Sequence, residues 1–363
     1  MKLKIPDYIK AIRPYVSGKS IEEVQREYGI DDSIKLASNE NPLGPSPLAV
    51  AAVRQALENL HRYPDAAGYE LTRAIAEKYH IDSDRIVLGN GSDDIIALLA
   101  AVLLRPGDEV ILPQPSFLFY EIAIRRSGAL PVWVPLKAFQ TDLAGMIQKI
   151  NSQTRMIFLN VPHNPAGTII SASAFEEFIA AVPPQVVIVL DEAYIEFVKA
   201  PSCANSFDYL QTDRPIVGMR TFSKAYGLAG LRVGYGVMPA VLAQVLNRVR
   251  QPFNVNLLAQ VAAAAALNDA QFLQKTVDLV HAELEFVYAA LEKLGVPYIR
   301  SEANFFMIEV RDGRTADEVF KKLLKHGVIV RSMASYGYPQ HIRVTIGKHN
   351  ENVRFLEALE KVI

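Results

Sequence analysis

"TRMIFLNVPHNPAGTIISASAFEEFIAAVPPQVVIVLDEAY", residues 154–194, decides the fold. Its two ends, 154–160 and 185–191, are continuous apolar, β-rich runs, as expected of strands buried on both faces. Between them, "SASAFEEFIAAV" (171–182) offers a serine cap and an early acidic pair, which predicts a helix. The same rhythm extends outward. "RIVLG" (85–89), "DEVILP" (108–113) and "LPVWVPL" (130–136) come before it, and "PIVGMRTF" (215–222) and "RVGYGVM" (232–238) after it, all reading as strands. Strand–helix alternation of this kind predicts an α/β domain with a mostly parallel, fully covered sheet.

Beyond about residue 257 the pattern changes. "LAQVAAAAALNDAQFLQKTVDLVHAELEFVYAALEKLG" reads as two long helices, followed by strands and helices in mixed order that predict a smaller α+β domain. The expected division is an N-terminal arm (1–36) packing with the small domain, a large domain (37–257) and a small C-terminal domain (258–363).

Composition excludes several classes. Lys plus Arg number 38 and Asp plus Glu 39, a net charge of −1, so no global basic field exists to attract nucleic acid or anionic lipid. The apolar run "IIALLAAVLL" (95–104) is about half the length needed to cross a bilayer and reads as a buried helix. "MKLKIPDYIK" has no signal-peptide core, and a single cysteine, Cys203, fits a reducing compartment, so the expected location is the cytoplasm. The seven histidines show neither H-E-x-x-H nor Cys/His ligand spacing, so no metal site is expected. No basic helix-turn-helix extension marks a regulator.

Five segments carry the chemistry, each with a plainer alternative. Asp191 ends an apolar strand, where open α/β sheets bind ligands; it either pairs with a cation or caps the next segment. "GNGSDD" (89–94) turns tightly after a strand and opens a helix at Ser92 and Asp93, a phosphate cradle or simply a good cap. Asn164 sits in a rigid loop, "VPHNPAGT" (161–168), which could be no more than a turn. In "VGMRTFSKAYGLAGLRVGYG" (217–236), Lys224 lies among small and apolar residues, where desolvation lowers an amine's pKa and fits it for Schiff-base chemistry. Thr221, Ser223 and Arg232 around it can supply donors to a phosphate. Arg343, in "HIRVTIG" (341–347), either faces water or awaits an anion. A nucleophilic lysine, a buried carboxylate and a phosphate cradle together are what pyridoxal phosphate needs.

"SNENPLGPSP", "RYPD", "GNGSDD", "HNPAGT", "LDEAY" and "RTFSKAYGLAGLRVGYG", in this order, closely resemble the histidinol-phosphate aminotransferases. These belong to the class II group of pyridoxal-phosphate enzymes of fold type I, and the resemblance spans nearly the whole chain. It implies a cytoplasmic homodimer that moves an amino group between L-histidinol phosphate and 2-oxoglutarate, a step of histidine biosynthesis. An aromatic amino-acid aminotransferase and a phosphothreonine decarboxylase share similar motifs. By resemblance, Lys224 holds the cofactor covalently and shuttles the substrate proton. Asp191 pairs with the pyridine nitrogen, and Tyr194 and Asn164 bond the phenolic oxygen. Phe117 stacks on the ring, at a position where tyrosine is common. Ser92, Asp93, Thr221, Ser223 and Arg232 match the phosphate site, and Tyr63 matches a tyrosine reaching the phosphate from the partner subunit. Arg343 matches the substrate-anion arginine, while Tyr15, Asn41 and Arg331 match residues lining the substrate pocket.

Overall fold

The computed structural model describes residues 3–14, 18–311 and 313–363; Tyr15 lies outside the described residues. In chain order the strands are β1 (Ile34–Lys35), β2 (Ile86–Gly89), β3 (Glu109–Gln114), β4 (Leu130–Pro135), β5 (Thr154–Asn160), β6 (Val187–Asp191), β7 (Ile216–Thr221), β8 (Gly234–Val237), β9 (Tyr298–Ile299), β10 (Phe305–Glu309), β11 (Val328–Ile329), β12 (Arg331–Ser332) and β13 (His341–Thr345). All seven strands expected between 85 and 238 enter one sheet, in the order β2-β8-β7-β6-β5-β3-β4. Every neighbouring pair is parallel except the two that involve β8, which runs against both β2 and β7.

The period of two along a strand explains why these runs are apolar throughout. Met156, Phe158, Val187 and Val189 point to one face and pack with Ile95, Leu99 and Tyr120. Ile157, Leu159, Ile188 and Leu190 point to the other and pack with Phe175 and Phe178. The helix Ala172–Ala181 starts where expected, with the Ser171 hydroxyl accepting from Ala174 N.

The C-terminal unit is a four-stranded antiparallel sheet, β12-β13-β10-β9, packed against the 25-residue helix Ala270–Leu294 and the helices Ala316–Lys325 and His349–Val362. The N-terminal segment joins it: β1 pairs in parallel with β11, and the helix Ile21–Tyr28 buries Val24 against Leu324 and Ile329. Two pieces sit differently from the expected division. The helix Leu257–Leu267 packs on Pro47–Ala56 and Tyr69–Tyr79, burying Ala259, Ala262, Ala263 and Ala266 in the core beside β2 and β8. The change of packing partner therefore falls after residue 267, because a face of alanines lets that helix lie close against those two helices. The short helix Asp7–Lys10 rests on Leu118–Arg126 of the large unit. Among the described residues no helix is long and apolar enough to cross a membrane.

Candidate active site

Parallel strands bring their carboxyl ends to one edge, and there the chemistry gathers. Asn160, Asp191 and Thr221 end β5, β6 and β7, and the turn after β2 leads into Ser92. Because β8 runs the opposite way, its beginning, next to Arg232, lies at the same edge. A cavity of about 190 Å³ opens there, lined by Ser92, Asp93, Phe117, Asn164, Asp191, Tyr194, Thr221, Ser223, Lys224 and Arg232. Ten of the residues singled out from the sequence thus share one wall.

Lys224 lines this cavity. Its Nζ donates to the Ser38 carbonyl at 3.1 Å and lies 5.7 Å from the Tyr194 ring centroid. Burial, with help from the nearby cations Arg343 and Arg232, pushes its pKa down to about 8. The amine therefore gives up its proton far more readily than an exposed lysine, as a nucleophile requires. Asp191 is buried, and burial raises its pKa to about 6, opposed by bonds from the Tyr120 hydroxyl and Ala193 N. The Tyr120 hydroxyl donates to Oδ2 at 2.5 Å, and Ala193 N donates to Oδ1 at 3.1 Å. Asn160 Nδ2 in turn donates to that tyrosine oxygen at 2.6 Å. A carboxylate held this way, short of water, favours a cation placed opposite it.

The third part is a cradle for an anion. The helix Ser92–Leu103 begins after Gly91, whose φ is +78°, and no side chain caps its first N–H groups. Their partial positive charge faces the cavity. Arg232 stands over the same turn in a left-handed conformation, φ +57°, rare for a residue with a Cβ. Its Nη1 donates to Ser223 Oγ at 3.3 Å and its Nη2 to Asp93 Oδ2 at 3.3 Å. Thr221 Oγ1 bonds Ser223 Oγ at 3.0 Å, so the two hydroxyls are already turned toward each other. A Cβ on Gly91 would lie 2.5 Å from Arg232 Nη2. Gly91→Ala is therefore expected to push the guanidinium out of the cradle and weaken phosphate-dependent cofactor binding on the order of tenfold to a hundredfold. Equilibrium titration with pyridoxal phosphate measures it; unchanged affinity would mean the guanidinium is not a phosphate ligand.

The strand ends are held in relation to one another by a buried ion pair. Glu192, next to Asp191, accepts from Arg220 Nε at 2.9 Å, and Arg220 adjoins Thr221. The guanidinium lies 3.6 Å from the Phe207 ring centroid, so the pair is enclosed as well as bonded.

The small unit supplies the second half of the cavity. A further space of about 100 Å³ shares Phe117, Asn164, Tyr194 and Lys224 with the first, and adds Asn39, Arg331, Tyr336 and Arg343. Arg343 Nη1 donates to Asn164 Oδ1 at 2.7 Å and Nη2 to the Ala37 carbonyl at 2.7 Å. This bond orients the Asn164 amide so that its Nδ2 faces the Tyr194 hydroxyl at 3.5 Å. Strand β13 therefore delivers an arginine to the cavity rather than to water.

Two of the sequence-derived residues lie elsewhere. Asn41 does not line either part of this cavity. Its Nδ2 donates to the Ala225 carbonyl at 2.9 Å and Thr276 Oγ1 at 3.2 Å, while Oδ1 accepts from Leu43 N at 2.9 Å. Asn39 faces the site instead, with Nδ2 donating to the Tyr194 hydroxyl at 2.9 Å. A left-handed turn at Asn39, φ +56°, sets which asparagine of "SNEN" points inward. Tyr63 is 81% exposed and stacks on Phe253 at 4.6 Å, outside its own chain's cavity. Tyr120, Asn160, Asn39 and Tyr336 escaped sequence reading. The first sits in the aromatic run "SFLFY", where one hydroxyl carries no distinguishing spacing, and the others look like ordinary strand-end or turn residues.

Sheet order and site together define a transferase of fold type I, with a lysine and a buried carboxylate lining one cavity beside a helix N-terminus. Residues 31–359 match the family described as aminotransferase class I and II, and the chain belongs to it. A histidinol-phosphate aminotransferase from Moorella thermoacetica is 46% identical over 361 residues, covering 99% of this chain and 93% of its own. That of Desulfotalea psychrophila is 43% identical over 362 residues, covering 99% and 95%. The crystal structure of histidinol-phosphate aminotransferase from Sinorhizobium meliloti in complex with pyridoxal-5'-phosphate aligns with a TM-score of 0.91 at 25% identity, covering 100% of this chain and 98% of that one. An aspartate aminotransferase mutant from Thermus thermophilus, 21% identical, shares the fold with a TM-score of 0.86.

Proposed function

We propose that this chain is a pyridoxal-phosphate-dependent aminotransferase that moves the amino group between L-histidinol phosphate and 2-oxoglutarate. The observation that carries the substrate is the pair of arginines, Arg331 and Arg343, in the part of the cavity that the small unit adds beside Lys224. Two guanidinium groups suit the dianionic phosphate of the one substrate and the carboxylates of the other. The names of the relatives that match nearly the whole chain support the same reading.

The residues present fit the cofactor: a neutral amine for its aldehyde, a buried carboxylate for its ring nitrogen, and a helix start with Arg232 and hydroxyls for its phosphate. When bound, pyridoxal phosphate supplies the electron sink that acidifies the C–H bond beside the substrate nitrogen. The protein's share is positioning and proton handling. Lys224 Nζ would hold the cofactor by its aldehyde, and the same amine would take the substrate proton from carbon and return it. Asp191 holds a proton on the ring nitrogen, and Tyr120 holds Asp191. Tyr194 and Asn164 fix the ring's oxygen, and Phe117 covers its face.

A pH dependence follows. Only the neutral amine attacks, and its folded pKa is lowered to about 8. Capture of pyridoxal phosphate by cofactor-free protein is expected to accelerate with rising pH and level off above about pH 8. At pH 6 it should be about a hundredfold slower. Rapid-mixing absorbance measures this; a pH-independent rate would show that the amine is not the titrating nucleophile.

We also infer that the enzyme works as a cytoplasmic homodimer in which Tyr63 reaches the partner's phosphate site. Leu57, Leu60, Tyr63 and Tyr69 are all exposed along this stretch, which supports burial against a second copy. The substrate assignment is tested by a single-turnover spectrum of the cofactor-loaded protein with L-histidinol phosphate or L-phenylalanine. Faster conversion with phenylalanine would move the activity to an aromatic aminotransferase and leave the residue roles in place.

A further inference from the structure

A two-residue hairpin follows β4, and its side chains run against its backbone. Lys137 N donates to the Gln140 carbonyl and Gln140 N to the Lys137 carbonyl, each at 2.9 Å. The central residues, Ala138 and Phe139, have φ of +47° and +64°. Turns of this kind ordinarily take Asn-Gly or Gly-Gly, because a Cβ is strained at positive φ. Strain kept at such a position calls for a compensating contact.

That contact is with the small unit. The Phe139 ring lies 5.6 Å from Tyr338 and 5.3 Å from His341, which are 5.4 Å from each other. His341 stands two residues before Arg343 on β13, and Tyr338 two residues after Tyr336. The loop between is closed on itself: Met333 N donates to the His341 carbonyl at 2.9 Å, Tyr338 N to the Met333 carbonyl at 3.1 Å, and His341 N to the Tyr338 carbonyl at 3.1 Å. It therefore moves as one piece with the residues it carries into the cavity. On the other side, the Phe139 carbonyl accepts from Thr168 Oγ1 at 2.8 Å, four residues beyond Asn164 in the loop that helps form the site. Ala166 of that loop, Met307 and Met333 form one buried cluster against which Phe139, Tyr336 and Tyr338 pack.

We propose that Phe139 is a positioning residue, a latch between the two units that sets Tyr336 and the substrate arginines against the cofactor side of the cavity. It lines neither part of the cavity. The inference rests on the substrate reading above, since it needs Arg343 to bind a substrate anion.

The test uses the cofactor-loaded full chain and four variants. Phe139→Asn removes the ring while accepting the left-handed backbone, and Tyr338→Ala removes the same contact from the other side. Phe139→Tyr keeps the ring, and Ala138→Gly relieves the turn without touching it. Expected for the first two is a KM for L-histidinol phosphate raised about tenfold, with kcat and cofactor affinity within about twofold of wild type. Phe139→Tyr and Ala138→Gly should keep the wild-type KM. A normal KM in Phe139→Asn and Tyr338→Ala would overturn the latch. So would KM, kcat and cofactor affinity deteriorating together, as a merely structural role predicts. If the wild type converts L-glutamate but not histidinol phosphate, the substrate reading fails. The same comparison is then decided on KM for glutamate, whose carboxylate meets the same arginine.

Discussion

Lys224→Ala is expected to fold, to bind pyridoxal phosphate only non-covalently and to lose turnover by at least about 10⁴-fold. The fold should survive because the side chain contributes one hydrogen bond, to the Ser38 carbonyl, and lines a cavity rather than filling a core. Catalysis should not survive. The residue provides both the amine that attaches the cofactor and the base that takes the substrate proton. Among the described residues no other lysine lines either part of the cavity. The checks are the visible absorbance of the cofactor, its removal by dialysis, and steady-state transamination. Retained turnover would remove Lys224 from the mechanism.

Asp191→Asn is expected to separate binding from chemistry. The cradle of Ser92, Ser223 and Arg232 does not involve Asp191, so the cofactor should stay bound. A neutral amide, however, cannot hold a proton on the ring nitrogen, and proton abstraction should slow on the order of 10³-fold. Burial, only partly offset by the bonds from Tyr120 and Ala193, raises the Asp191 pKa to about 6, and a cation opposite it would bring the pKa back down. In the variant that mutual stabilisation is gone. Single-turnover rates at constant cofactor occupancy measure the effect, and a near-normal rate would mean that another group serves the nitrogen.

The two predictions draw on different layers of information. That Asp191 ends a buried strand was legible from "QVVIVLD", because a charge closing an apolar run in an α/β chain sits at a ligand-binding edge. That Tyr120 holds it was not, since the residue is 71 positions away in sequence. The sheltered place of Lys224 was legible from its unusual neighbours, and the helix opening at Ser92 from the two glycines before it. The choice of Asn39 over Asn41 was not, because it turns on one backbone dihedral that either asparagine could adopt.

By itself the sequence determined the seven strands of the central sheet and, through motifs in a fixed order, the family. Those features depend on local periodicity and on residue types with few alternative uses. Only the tertiary structure decided which residues the two units bring together: Arg343 bonded to Asn164, Tyr120 to Asp191, and Phe139 against Tyr338 and His341. It also decided that the helix Leu257–Leu267 belongs with the large unit, since an alanine-rich face fits equally well against either core until the packing partners are known. Contacts between residues distant in sequence are chosen by shape and by the pairing of buried polar groups, and no spacing along the chain encodes them.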